Sequence, residues 1–146
     1  MQTNGKTHSF FCVLDDGSFL PTKAHDDDAG YDLRTPVCVT VPAHGSACID
    51  TGVHVSLPEG TFGKLESKSG LNVKHGVVSL GGVIDRGYTG TIVAKLYNMS
   101  DEDYQFHRGD KIVQMVIQPC MNLPVKEVNY LEDTDRGDNG FGSTGK

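Results

Sequence analysis

The sequence predicts an all-β fold, a sandwich or barrel of short strands. Three observations carry this: apolar runs of strand length rich in β-branched residues, clusters of turn residues between them, and glycines and prolines spread along the chain with no long helical period. In order, the runs are Phe10 to Leu14, Val37 to Val41, Ala47 to Asp50, Val53 to Leu57, Phe62 to Glu66, Thr91 to Tyr97 and Ile112 to Gln118. Asp15-Asp16-Gly17, Pro42-Ala43-His44-Gly45, Pro58-Glu59-Gly60 and Arg108-Gly109-Asp110 separate them, each with the residue types that favour turns. The one helix expected is brief, starting near Ser69 and running through Leu71 and Val73. After Leu131 the chain is glycine-rich with Phe141 as its single large apolar side chain, too little to fold alone. Residues 1–131 therefore read as one β core, and 132–146 as an arm without independent fold.

The length of 146 residues with 37% hydrophobic content suits a single core. A net charge of −6 speaks against nonspecific nucleic-acid binding, which needs cations to displace counterions. A small anionic ligand is still compatible where local cations and bare amides outweigh that average. Cys12, Cys38, Cys48 and Cys120 form no CxxC pair and lie in apolar runs, so they read as reduced core residues of a cytosolic protein. The histidines are scattered without metal-ligand spacing. No N-terminal run resembles a signal peptide, and none approaches the ~20 apolar residues that cross a bilayer.

Five islands stand out. Ser79 to Gly90, SLGGVIDRGYTG, reads as strand, turn and strand. Gly81 and Gly82 allow a flat ligand to approach bare amides, and Asp85 sits where an acid can be partly buried and can orient a water or hydroxyl. An ordinary hairpin explains this stretch equally well. In Ala29-Gly30-Tyr31-Asp32-Leu33 an acid follows a glycine at a strand start, which is also how a turn is capped, and Asp26-Asp27-Asp28 before it reads as a solvated loop. Ser67-Lys68-Ser69-Gly70-Leu71 combines a cation, a hydroxyl and a helix start, an anion site or else a plain N-cap. Arg108 to Gln114 is a charged turn entering a strand. In Arg136 to Gly145, glycine amides beside Ser143, Thr144 and Arg136 make a phosphate cradle, and Phe141 has no core to join unless it covers a ligand.

Taken together and in this order, the islands resemble the five motifs of the trimeric dUTPase family, the deoxyuridine triphosphate nucleotidohydrolases. The resemblance runs from Ala29 to Gly145, and its most specific strings are GVID with Tyr88 and Gly90 behind it, and RG followed by GFGSTG. It implies a jelly-roll-like β subunit in a homotrimer with active sites at subunit interfaces. The activity implied is Mg²⁺-assisted hydrolysis of dUTP to dUMP and pyrophosphate, limiting uracil incorporation into DNA and supplying dUMP for dTMP synthesis. In a virus or phage the enzyme would work in the host cytosol.

By that likeness Asp85 holds the deoxyribose 3′-hydroxyl and orients the attacking water, and Tyr88 packs beneath the sugar. Gly82, Val83 and Ile84 read the uracil edge through their main chain. Lys68, Ser69, Gly70 and Gln114 bind phosphates, and Asp32 holds waters of the Mg²⁺, an ion that keeps part of its hydration shell. Arg136, Gly142, Ser143 and Thr144 fold over the phosphates while Phe141 stacks on the base. The chain departs from the family in two places: Lys68 stands where Arg is commoner and cannot form a bidentate fork, and Ser79 stands where many bacterial members have an Asn that contacts uracil. A dCTP deaminase-like enzyme shares the fold expectation, but the GFGSTG tail and the lack of an obvious deaminase acid favour the hydrolase. A dUTP-sensing module, whose ordered tail meets a partner protein, is the reading from outside enzymology.

Overall fold

A computed structural model of the protein describes residues 9–142 and 145. Eleven strands and one helix follow in the order β1 (Phe11–Leu14), β2 (Gly30–Arg34), β3 (Val39–Val41), β4 (Ser46–Asp50), β5 (Val53–Ser56), β6 (Thr61–Glu66), α1 (Ser69–His75), β7 (Val77–Ser79), β8 (Val83–Ile84), β9 (Val93–Asn98), β10 (Tyr104–Phe106) and β11 (Lys111–Pro119). The strands form a four-stranded sheet β2-β11-β6-β8, a three-stranded sheet β4-β9-β7, and the pairs β1-β5 and β10-β3. Every strand pair is antiparallel, in keeping with the all-β sandwich or barrel that the strand spacing predicts and the jelly-roll-like architecture that the family resemblance implies. β2, β7, β8 and β10 lie outside the expected runs: β7, β8 and β10 are only two or three residues long, and in β2 the adjacent Asp32 and Leu33 are both buried, which breaks the alternation.

The core follows from period-two burial. In β9, Ala94, Leu96 and Asn98 point inward while Val93 and Lys95 point out. Leu33, Ile49, Leu65, Leu96, Phe106, Ile112 and Met115 are among the fully buried side chains that meet between the layers. β11 breaks the alternation: a register shift between Lys111 and Val113 turns both Ile112 and Val113 inward and leaves Lys111 beside β2. Such a bulge re-aims side chains near functional sites. The same alternation corrects the cysteine expectation. All four are free thiols, but Cys48 lies on the outward face of β4 beside buried Ile49 and Cys38 is exposed before β3, so neither belongs to the core; Cys12 and Cys120 are half-buried.

α1 is the expected helix. It ends on Gly76, whose left-handed φ of 66° lets its N–H close on the Asn72 carbonyl. The last strand ends at Pro119, and all side chains described from Met121 to Gly142 are exposed. Among the described residues no helix is long and apolar enough to cross a membrane.

Candidate active site

The stretch from Ser79 to Gly90 is not a hairpin. β7 pairs with β9 in one sheet and β8 with β6 in the other, so the chain crosses between sheets at Gly81 and Gly82. These glycines have φ of +104° and +132°, conformations that side chains rarely adopt. A Cβ on Gly82 would also press on Leu65 at 3.0 Å. After β8 the chain turns at once, the Tyr88 N–H donating to the Asp85 carbonyl at 3.0 Å. The Tyr88 phenol folds back over Gly90, where any Cβ would meet the hydroxyl at 2.5 Å, and the hydroxyl donates to the Thr91 carbonyl at 2.8 Å. The glycine two places after the tyrosine is thus required by the ring. Gly82, Val83, Ile84, Asp85 and Tyr88 line one cavity of about 280 Å³ with Leu65, Thr91 and Val93. Ile84 is buried beneath it, whereas Asp85 is exposed at its mouth rather than partly buried as the sequence suggested, because it leads the turn beyond the strand.

His54, which sequence reasoning missed, steadies this turn from β5. Its Nδ1 lies 2.7 Å from the Thr89 carbonyl and its Nε2 3.0 Å from Asp15 Oδ1. Both ring nitrogens face acceptors, and the two bonds, Thr89 first, raise its pKa above the ordinary histidine value.

A second group of expected residues gathers around β2, β6 and β11. Asp32, buried on β2, accepts Lys68 Nζ on Oδ1 and Lys111 Nζ on Oδ2, the latter at 3.2 Å. Burial pushes its carboxyl upward, but the two ammonium groups together outweigh that and hold it below the ordinary carboxylate range. Lys111 carried no distinguishing sequence signal; only the bulge brings it here. Gln114 Nε2 donates to the Ser67 carbonyl at 3.0 Å, and its side chain lies so close to Gly30 that a Cβ there would meet Oε1 at 2.3 Å. The glycine before Tyr31 therefore makes room for Gln114. Lys68 is the N-cap of α1 in extended conformation and makes no side-chain cap bond, so Ser69 is the first helical residue and not the plain N-cap. That leaves the opening amides of the helix without a capping side chain.

None of Lys68, Ser69, Gly70, Gln114 or Asp32 lines the cavity at Asp85, so the chain presents the expected site residues in two separate groups. Of the tail, Arg136 Nε donates to the Asn139 carbonyl at 3.0 Å and Phe141 is fully exposed along with Gly142. Ser143 and Thr144 lie outside the described residues. Among the described residues no three His, Cys, Asp or Glu side chains converge as a metal cage. The donor chemistry of Asp32, a carboxylate whose two oxygens already accept N–H hydrogens, fits an ion that would be held through its own waters.

A jelly-roll-like β framework thus carries a glycine-bared turn beside an acid and a tyrosine in one place, and lysines and uncapped helix amides in another. The dUTPase family model matches residues 17–145. The deoxyuridine 5′-triphosphate nucleotidohydrolase of Candida albicans is 42% identical over 129 residues, 87% of this chain and 81% of that protein. The dUTPase of Staphylococcus bacteriophage 80alpha, solved with dUPNHPP, superposes with a TM-score of 0.86 at 30% identity, covering 96% of this chain and all of that one; it is described among phage dUTPases that control transfer of virulence genes. A mutant dUTPase of phage phi11 of S. aureus, described with a structural Mg(II) ion, superposes at 0.79 with 30% identity over 86% of this chain and 99% of that one. The chain belongs to the dUTPase family.

Proposed function

We propose that this protein hydrolyses dUTP to dUMP and pyrophosphate, and that the crossing at Gly81 and Gly82 is where the base is read. The observation carrying this is the conjunction, in a chain of the dUTPase family, of a turn only glycines can make with Asp85 at the mouth of the same cavity and Tyr88 clamped on Gly90. Main-chain groups of Gly82, Val83 and Ile84 meet the uracil edge, and Tyr88 lies under the deoxyribose, leaving no room for a 2′-hydroxyl. Asp85 accepts a proton from the water that attacks the α-phosphorus, and the bridging oxygen leaves with pyrophosphate. Lys68, released from Asp32, moves onto the phosphates with the Ser69 and Gly70 amides and Gln114, neutralising the growing charge. Asp32 Oδ1 would then be free to accept from water on a Mg²⁺ ion, which when bound would supply neutralisation of charge on the phosphates.

The separation of the Asp85 cavity from the Lys68 group supports sites completed between subunits of a homotrimer, which we assign to the cytosol on the family resemblance. So does the run of exposed apolar side chains at Met121, Leu123, Val125, Val128, Tyr130 and Leu131, which a lone subunit leaves in water. Residues 132–146 act as a lid, with Arg136, Gly142, Ser143 and Thr144 on phosphates and Phe141 on the base. The phage relatives' described control of gene transfer favours a second role, in which the dUTP-ordered tail meets a partner protein.

Incubating the protein with dUTP, dCTP or UTP and Mg²⁺, and assaying pyrophosphate and ammonia, tests the reading. Pyrophosphate from dUTP, with little from the others and no ammonia, is expected. Ammonia from dCTP would move the protein to the deaminases.

A further inference from the structure

We propose that Ser67 is a positioning residue for base recognition, its hydroxyl clasping the main chain of Ser79 and so setting the glycine turn that meets the base. The inference rests on the reading of that turn given above. Ser67 follows β6, in the four-stranded sheet, and Ser79 ends β7, in the three-stranded one. The Ser67 hydroxyl accepts the Ser79 N–H at 2.8 Å and donates to the Ser79 carbonyl at 3.1 Å. One side chain therefore satisfies both main-chain groups of a buried residue and bolts the two sheets together where the chain is about to cross between them.

The clasp continues into the turn. The Ser79 hydroxyl donates to the Gly81 carbonyl at 3.1 Å, and the Leu65 N–H donates to the Gly82 carbonyl at 2.8 Å. Two adjacent glycines have the widest conformational choice of any residue pair, so their orientation must be imposed from outside. Here one carbonyl is pinned from β7 and the other from β6, and Ser67 fixes β7 relative to β6. Ser79, turned inward to these bonds, recognises the base indirectly, by holding the amides that face it. The Ser67 carbonyl meanwhile accepts Gln114 Nε2, a bond that survives changes of the Ser67 side chain.

Ser67→Ala leaves the Ser79 N–H and carbonyl without partners and frees the turn. Expected is a fall in kcat/KM for dUTP of about tenfold, carried mainly by KM, with a narrowed preference for dUTP over dCTP. Ser67→Thr, which keeps the hydroxyl, should restore both. Ser79→Ala, which loses only the bond to Gly81, should shift preference less and in the same direction. Amide exchange of nucleotide-free protein gives a readout independent of turnover: Gly81, Gly82 and Val83 should exchange faster in Ser67→Ala and at the wild-type rate in Ser67→Thr. A Ser67→Ala protein that melts earlier but keeps the wild-type dUTP preference would make Ser67 merely structural and overturn the proposal, as would unchanged exchange at the turn. Should wild-type protein release no pyrophosphate from dUTP, the functional reading fails on its own, and the exchange rates still decide the clasp.

Discussion

Asp32 grips Lys68 with one carboxylate oxygen while its other oxygen holds Lys111. The carboxylate is buried but both lysine heads reach water, at 28% and 38% side-chain exposure. Asp32→Asn removes the only negative charge in this triad and leaves two ammonium groups facing a neutral amide. Deleting one partner of a fully buried pair costs roughly 3–5 kcal/mol; with hydrated lysines about 2 kcal/mol is expected from denaturant titration. KM for dUTP should rise because the carboxylate that would accept from waters of the substrate's Mg²⁺ is gone, even though Lys68 is freed for the phosphates. The sign of the pH dependence follows from the depressed carboxyl: its contribution is present above the ordinary value of about 4 and lost as pH falls through the native one. Melting temperatures of wild type should therefore drop below about pH 4 by a component that Asp32→Asn lacks.

Asp85 is exposed, and its main chain holds Tyr88 through the turn. Asp85→Asn keeps that turn and removes the proton acceptor. It should bind a nonhydrolysable dUTP analogue with little loss and turn over dUTP at least ~100-fold more slowly; near-normal turnover would show that another group orients the water. Tyr88→Ala should relax the exclusion of UTP, and an unchanged ratio of dUTP to UTP hydrolysis would reduce Tyr88 to packing.

Strands such as β5, β6 and β9 could be read from the sequence because alternate residues of each are buried, and the glycines at 30, 82 and 90 mark places where a Cβ would crowd a neighbour, while Gly81 is marked by its positive φ alone. What could not be read was set by tertiary placement. Nothing in Ser79 to Gly90 says that its two strands join different sheets, since pairing is decided by β6 and β9. Lys111 reaches Asp32 through a bulge, and His54 reaches Thr89 from a strand distant in sequence, so neither has a local pattern. Ser67 was visible only as a neighbour of Lys68.

His54 gives the fold a second pH dependence, of opposite sign. With a carbonyl on one ring nitrogen and Asp15 on the other, and Asp50 adding negative charge nearby, the native state favours the imidazolium. A raised native pKa contributes stability in full below the ordinary histidine value of about 6.5 and loses it as pH rises through the native value. Thermal melts across a pH series should show wild type exceeding His54→Gln at about pH 6, with the gap closing above that range. A gap that persists unchanged into alkaline solution would mean that the histidine acts through packing alone.

The chain beyond Pro119 separates two kinds of dependence on the tail. Residues from Asp135 onward carry little apolar surface apart from Phe141, too little to offset the entropy of ordering, so the lid proposed above would draw on contacts with bound nucleotide. Deleting the chain after Leu131 should leave melting temperature and assembly intact while removing most activity, and Phe141→Ala should show a milder loss. Met121, Leu123, Val125, Val128, Tyr130 and Leu131 are a different matter. Between 60% and 98% exposed on the subunit, they have surface enough to bind a neighbour. Deleting the chain after Cys120 should therefore dissociate the assembly, as read by sedimentation or light scattering, and lower the melting temperature as well. If the cut after Leu131 already yields monomers, the glycine-rich end is a strap between subunits and not a lid. A cut after Cys120 that still sediments as a trimer would place the subunit interface wholly on the β core.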